Sequence, residues 1–191
     1  MNRFLKRLLI ILAVVAVALF LYSHFVEDIF SKRLSPKDAV KFELNDTTLE
    51  VMYNRPFKKG REIFGALVPY DKVWRTGANE ATTFTTNKNL LVDGQALPVG
   101  TYTLWTVPRD SVWIVYFNTK EYPWGVDEQM QPMREPRYDL LEIEVPVIAL
   151  ENTVEQFTIA FDNTTDNLKL TMAWDHTKVE VPMEVSKVQP E

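Results

Sequence analysis

Six cations crowd one stretch of this sequence, Arg55, Lys58, Lys59, Arg61, Lys72 and Arg75, against three acids, Glu62, Asp71 and Glu80. A guanidinium is a planar fork of donors that matches a carboxylate or phosphate. Tyr70 and Trp74 add flat apolar surface for a sugar or an aromatic group. The candidate ligand-binding residues are therefore Arg55, Arg61, Tyr70, Trp74, Arg75, Asn79 and Glu80. Trp124, from the irregular segment Tyr122-Pro-Trp-Gly125, joins them, because an exposed ring there needs a reason. The same residues admit a structural alternative: Arg75 or Arg61 pairs with Glu80 or Glu62, Asn79 bonds loop backbone, and the whole stretch is a staple. A third chemistry makes Glu80 a general base and Arg75 an oxyanion stabiliser in a hydrolase or lyase acting on an envelope glycan or peptide. That role needs Glu80 in an open pocket with a raised pKa, since a carboxylate clamped by arginine is a poor base near neutrality.

Other chemistry is poorly supplied. The 191 residues include no Cys, which excludes thiolate metal sites and Cys nucleophiles, and two His, His24 and His176, which supply His-rich metal sites poorly; no metal or cofactor is expected. Glu142 and Glu144 share a strand face but read as a solvated surface. Residues 162–167 lack the spacing of a calcium loop and read as a hairpin turn. His176, beside Asp175, reads as a turn residue. No serine-nucleophile, P-loop or dinucleotide motif occurs. Net charge is −5, the wrong sign for a nucleic-acid binder.

The elements that must hold these residues follow from periodicity. Leu8 to Tyr22 carries no charge, and its extension to Val26 gives about 28 Å of helix at ~1.5 Å per residue, close to the ~30 Å hydrocarbon layer. No small-residue cleavage pattern ends it, so it reads as an uncleaved signal-anchor in contact with the lipid bilayer through residues 8–26. Arg3, Lys6 and Arg7 precede it while Glu27 and Asp28 follow, which predicts a cytoplasmic N-terminus and an exported remainder. Residues 1–33 carry +3, leaving −8 on the rest. The expected organisation is an N-terminal tip and span over 1–26, a juxtamembrane tether over 27–39, a domain over 40–186 and a tail over 187–191.

Beyond the tether the period becomes two. Alternation over 48–53, 101–106, 156–161, 168–174 and 178–185 predicts half-buried strands, the last an edge because of Pro182. Residues 111–117 are apolar on both faces and read as a central strand. Turn chemistry at Val92-Asp-Gly-Gln95 and Leu97-Pro-Val-Gly100 separates them. No helical period recurs, so about nine or ten strands close as an all-β, antiparallel two-sheet sandwich of jelly-roll or immunoglobulin-like type. Residues 55–81 and 120–138 do not alternate, and long irregular loops in compact domains are often functional.

The run Arg55-Pro-x-x-x-Gly-Arg-x-Ile-Phe-Gly-x-Leu-Val-Pro-Tyr70, with Val73-Trp-Arg-Thr-Gly-Ala-Asn-Glu-Ala-Thr-Thr83 and Leu97-Pro-x-Gly-Thr-Tyr-Thr-Leu-Trp-Thr-Val-Pro108, resembles the domain family of unknown function numbered 2911. The resemblance covers about residues 36–185. It implies an exported or membrane-attached bacterial protein and brings no activity, cofactor or catalytic residue. The expectation is thus a single-pass protein of the bacterial inner membrane with a periplasmic domain, a ligand-binding or interaction module rather than an enzyme. Its ligand would be a small anion, a carbohydrate or an envelope protein partner.

Overall fold

The structure is a computed structural model describing residues 2–31, 34–164 and 167–186, with the side chains of 8, 9, 21 and 23–31 left out. It divides into two units, Met1–Leu34 and Ser35–Glu191. The first is a helix, α1 (Arg3–Ser31). Among the described residues no helix is long and apolar enough to cross a membrane. The longest run of α1 with described side chains, residues 10–20, amounts to about 16 Å of helix at ~1.5 Å per residue, half a bilayer core. The rest of the expected span, 8, 9, 21 and 23–26, lies outside the described side chains. A helix is present, but it does not establish the transmembrane expectation.

The second unit is antiparallel β throughout. Its strands are β1 (Lys37–Leu44), β2 (Thr47–Asn54), β3 (Thr83–Thr86), β4 (Leu90–Val92), β5 (Gln95–Leu97), β6 (Gly100–Pro108), β7 (Val112–Asn118), β8 (Asp139–Pro146), β9 (Ile148–Asp162) and β10 (Leu168–Val185). They form a six-stranded sheet in the order β1-β2-β3-β6-β7-β8 and a four-stranded sheet in the order β5-β4-β10-β9. The expected two-sheet architecture is observed. α1 runs to Ser31 and β1 starts at Lys37, pairing with Asn54. The expected tail, 187–191, lies outside the described residues.

Two sequence segments fuse into the single strand β10, kinked by register shifts between Ala173 and Thr177, with Asp175 at φ 54°. Its neighbours β4 and β9 flank it, so Pro182 is not on an edge strand. The local physics still holds: β9 pairs with β10 only as far as Lys178, and β4 takes over from Met183, leaving Pro182 between the two ladders. Asp93 and Gly94, both at positive φ, make the two-residue β4–β5 turn.

Alternation sends Leu49, Val51, Tyr53, Leu104, Trp113, Val115, Phe117, Ile159, Met172 and Val181 into the space between the sheets. At one end of this core Trp74, Trp113 and Trp174 pack with Phe64 and Phe157, ring centroids 4.9–6.3 Å apart. The opposite side chains of β6 and β7, Trp105, Val107, Ile114 and Tyr116, are buried as well. Val73, Ala81 and Tyr122 from the two irregular segments cover them. The outer face of the larger sheet thus carries a second, smaller core under loops, and this is the ground on which the candidate site stands.

Candidate functional site

The crossover from β2 to β3 starts by stitching the sheets together. Residues 56–58 lie along β9: Lys58 N donates to Glu155 O at 2.7 Å and Phe157 N to Pro56 O at 2.9 Å. Arg55 sits at this junction. Its Nη1 donates to Asp38 Oδ2 (3.0 Å), its Nε to Phe157 O (3.2 Å) and its Nη2 to Thr158 Oγ1 (2.9 Å). Lys58 donates to Asp175 Oδ2 at 2.7 Å and to Arg61 O at 2.9 Å. Arg61 turns back on its own loop, donating to Lys58 O and Phe57 O. Tyr70 remains 39% exposed and packs on Gly65, where a Cβ would lie 3.0 Å from the ring, a close approach that together with φ +91° requires glycine. Burial, then Asp110 and Glu62, raises its phenol pKa.

The chain next runs along β6. Trp74 and Thr106 exchange both backbone hydrogen bonds, at 2.7 and 2.9 Å, and Leu104 N donates to Thr82 O at 2.8 Å. Residues 75–81 bulge out between these two fixed points. The bulge is strained: Thr76 and Asn79 hold φ near +55°, unusual above all for a β-branched residue. Gly77 passes so close to β2 that a Cβ would meet Asn54 O at 2.9 Å. The Trp74 ring enters the aromatic core while its Nε1 donates to Gly77 O (3.0 Å). Asn79 Nδ2 reaches Ser35 O (3.3 Å) and Asn54 Oδ1 (3.5 Å), and Asn54 Nδ2 donates to Glu80 Oε2 (2.9 Å). The hydrolase or lyase alternative is not favoured by this arrangement, in which Glu80 engages an amide of the fold.

Arg75 differs from all of these. It follows Trp74, whose ring faces inward, and its stem is pressed against the second irregular segment. A Cβ on Gly125 would fall 2.5 Å from Arg75 Cδ and 2.6 Å from its Cβ. Its Nη1 is buried with no hydrogen-bond partner, and no ion pair joins Arg75 to an acid among the described residues. Burial lowers its pKa, the direction expected when a charge is desolvated without compensation. Its neighbour Trp105 is fully buried, and its Nε1 also lacks an acceptor.

The other irregular segment is anchored at both ends. Tyr122 packs edge-on against Trp105 at 5.2 Å, and its hydroxyl accepts from Glu135 N at 2.9 Å. Arg134 lies 3.5 Å over the Tyr116 ring and pairs with Asp139. Lys120 pairs with Glu135. Between these anchors residues 125–133 form a small hairpin, Val126 bridging Pro132, with Trp124, Met130 and Met133 exposed.

The structure therefore brings Arg75 beside the Trp124-Gly125 turn and gathers Asn79 and Glu80 around Asn54. It holds Arg55 and Arg61 at the β9 junction instead. Trp105, Tyr122, Gly125 and Asn54 are additional residues of the region. Tyr122 and Gly125, which flank Trp124 in an irregular stretch, left a signal in the sequence; Trp105 alternates like any core residue. Glu142 and Glu144 are exposed on β8, and His176 bonds Thr153 Oγ1 (2.9 Å) and Leu150 O (3.0 Å).

Fold and site together define an antiparallel two-sheet domain whose outer face carries, under loops, a half-buried arginine with one enclosed, unpartnered guanidinium nitrogen. Residues 35–183 match the family model described as Protein of unknown function (DUF2911), and the chain belongs to that family. No curated protein and no solved structure matches it.

Proposed function

We propose that this chain is a binding module of the cell envelope whose ligand brings a hydrogen-bond acceptor to Arg75. The observation that carries the reading is the unsatisfied, buried Nη1. A buried donor left unmet costs about 1–3 kcal/mol, and a bound acceptor recovers much of that. An anion does so best, a sugar oxygen or a partner's backbone carbonyl less well. A panel of small anions and neutral sugars, followed by thermal shift on the full chain and on Arg75→Gln, tests it. A saturable rise in Tm that is absent in R75Q supports the reading, and equal responses in both proteins overturn it.

The envelope placement is the second part of the proposal, supported by the uncharged run 8–22 between basic and acidic flanks. It has the N-terminus in the cytoplasm, residues 8–26 in the inner membrane and the domain outside it. Protease added to spheroplasts digests the domain if this is right; protection until the membrane is lysed overturns it.

A further inference from the structure

The donors around Arg75 also specify the class of ligand, an inference that rests on the Arg75 reading above. The Trp74–Thr106 bridge puts Trp105 in register opposite Arg75, and the two carry buried N–H groups with no acceptor. One cation and one neutral donor suit a group with one negative charge and two acceptor atoms. A phosphate dianion brings more oxygens and a second charge than these two donors match. The neighbouring Arg134 and Lys120 are committed to Asp139 and Glu135. The side chains that the irregular segments pack into the Trp105 cluster are Val73, Ala81 and the edge-on Tyr122 ring.

Access follows from the hairpin. Among the described residues, every hydrogen bond made by 123–133 is internal to that segment: Asp127 N to Gln131 O, Met130 N to Asp127 O, Met133 N to Gly125 O, the backbone amides of Gln129 and Gln131 to the Asp127 carboxylate, and Gln131 Nε2 to Gln129 O. It can lift as a unit without breaking a hydrogen bond to either sheet, and Gly125 meets the Arg75 stem by close approach rather than by a hydrogen bond. We propose that Arg75 and Trp105 together take the carboxylate of a monoanion with an apolar body, admitted by lifting of segment 123–133.

Such a carboxylate is either a free small acid or the C-terminus of a peptide. The test uses the full-length ¹⁵N-labelled chain in zwitterionic detergent and follows the indole N–H resonance that disappears in Trp105→Phe. The probes are phenylacetate, an N-acetylated dipeptide ending in phenylalanine acid, phenylacetamide and inorganic phosphate. The expected result is a saturable downfield shift with one or both acids and none with the amide or phosphate. Affinity should fall at least about tenfold in R75Q, the scale of one charged hydrogen bond. Tighter binding of the peptide acid assigns a chain terminus, and tighter binding of phenylacetate a free acid. A shift with phosphate alone that R75Q abolishes overturns the carboxylate class while the Arg75 reading survives. Acid binding undiminished in R75Q overturns the Arg75 reading itself, and silence with every probe overturns the class. Should W105F fail to fold, the amide control and R75Q carry the test.

Discussion

Arg55 and Arg75 lie twenty positions apart in one crossover and meet opposite fates. Arg55 spends its guanidinium on a carboxylate, a carbonyl and a hydroxyl contributed by β1 and β9. Arg75 is comparably enclosed, yet its Nη1 finds nothing. A fold that only needed a staple would select the first situation, because a partly buried charge stabilises only when its donors are met. The difference sets the structural half of the signature, through Trp74, against Arg75, whose Nη1 has no partner.

The largest expected effect falls on the structural half. Trp74→Ala removes a ring that contacts Phe64, Trp113, Phe157 and Trp174, and should lower unfolding free energy by about 3–5 kcal/mol, read from urea denaturation. A loss below about 1 kcal/mol would show that the crossover is not pinned by its tryptophan. Arg55→Met should cost about 2 kcal/mol, since it strands Asp38 and two acceptors on β9. If it were neutral, the two arginines would not differ in kind.

Gly125→Ala tests the contact between the halves. The added methyl collides with the Arg75 stem at 2.5 Å, an overpacking that should cost about 1–2 kcal/mol. The damage should be local: amide exchange in 125–133 accelerates while β7 stays protected. Uniform acceleration would show that the hairpin does not move independently of the sheets.

The strands that alternate were readable because burial on one face leaves a period of two in the chain, as in Leu49, Val51 and Tyr53. Which strands pair was not, since β10 meets β4 and β9 through contacts far apart in sequence. β1 was partly missed because Lys37, Ala39, Lys41 and Glu43 face solvent and charge interrupts the pattern. In the site, residue types pointed to a cationic loop, but pairing depends on where Asp38, Thr158 and Gln156 arrive in space. Nothing in the identities of Arg55 and Arg75 tells them apart. Register is what places Trp105 near Arg75, and close approach is what ties Gly125 to it.

Arg75→Met should have the opposite sign to Arg55→Met. Replacing this half-buried guanidinium, whose Nη1 is unmet, with an apolar chain of similar length should raise stability by up to about 1 kcal/mol, at most about 2–4 °C in Tm for a domain of this size, while abolishing ligand-induced stabilisation. A fall in Tm would show that a partner within the chain does satisfy this guanidinium.

The smallest effect gives the sharpest control, because it contrasts a carboxylate paired twice with a cation not paired at all. Glu180 receives Lys169 at 2.6 Å and Lys178 at 2.7 Å, and the hydrogen bond from Lys169, then that from Lys178, lowers its pKa. A depressed folded-state pKa stabilises above the unfolded value, about 4.3, and that contribution disappears as pH falls through the folded value. Glu180→Gln should therefore lose a few tenths of a kcal/mol at pH 7 and converge with the parent at the acid end. The stability difference between Arg75→Met and the parent should instead stay level from pH 6 to 3, because no carboxylate titrating there faces Arg75. If that difference tracks pH as the Glu180 one does, an acid pairs with Arg75 and the two halves of the signature are one staple.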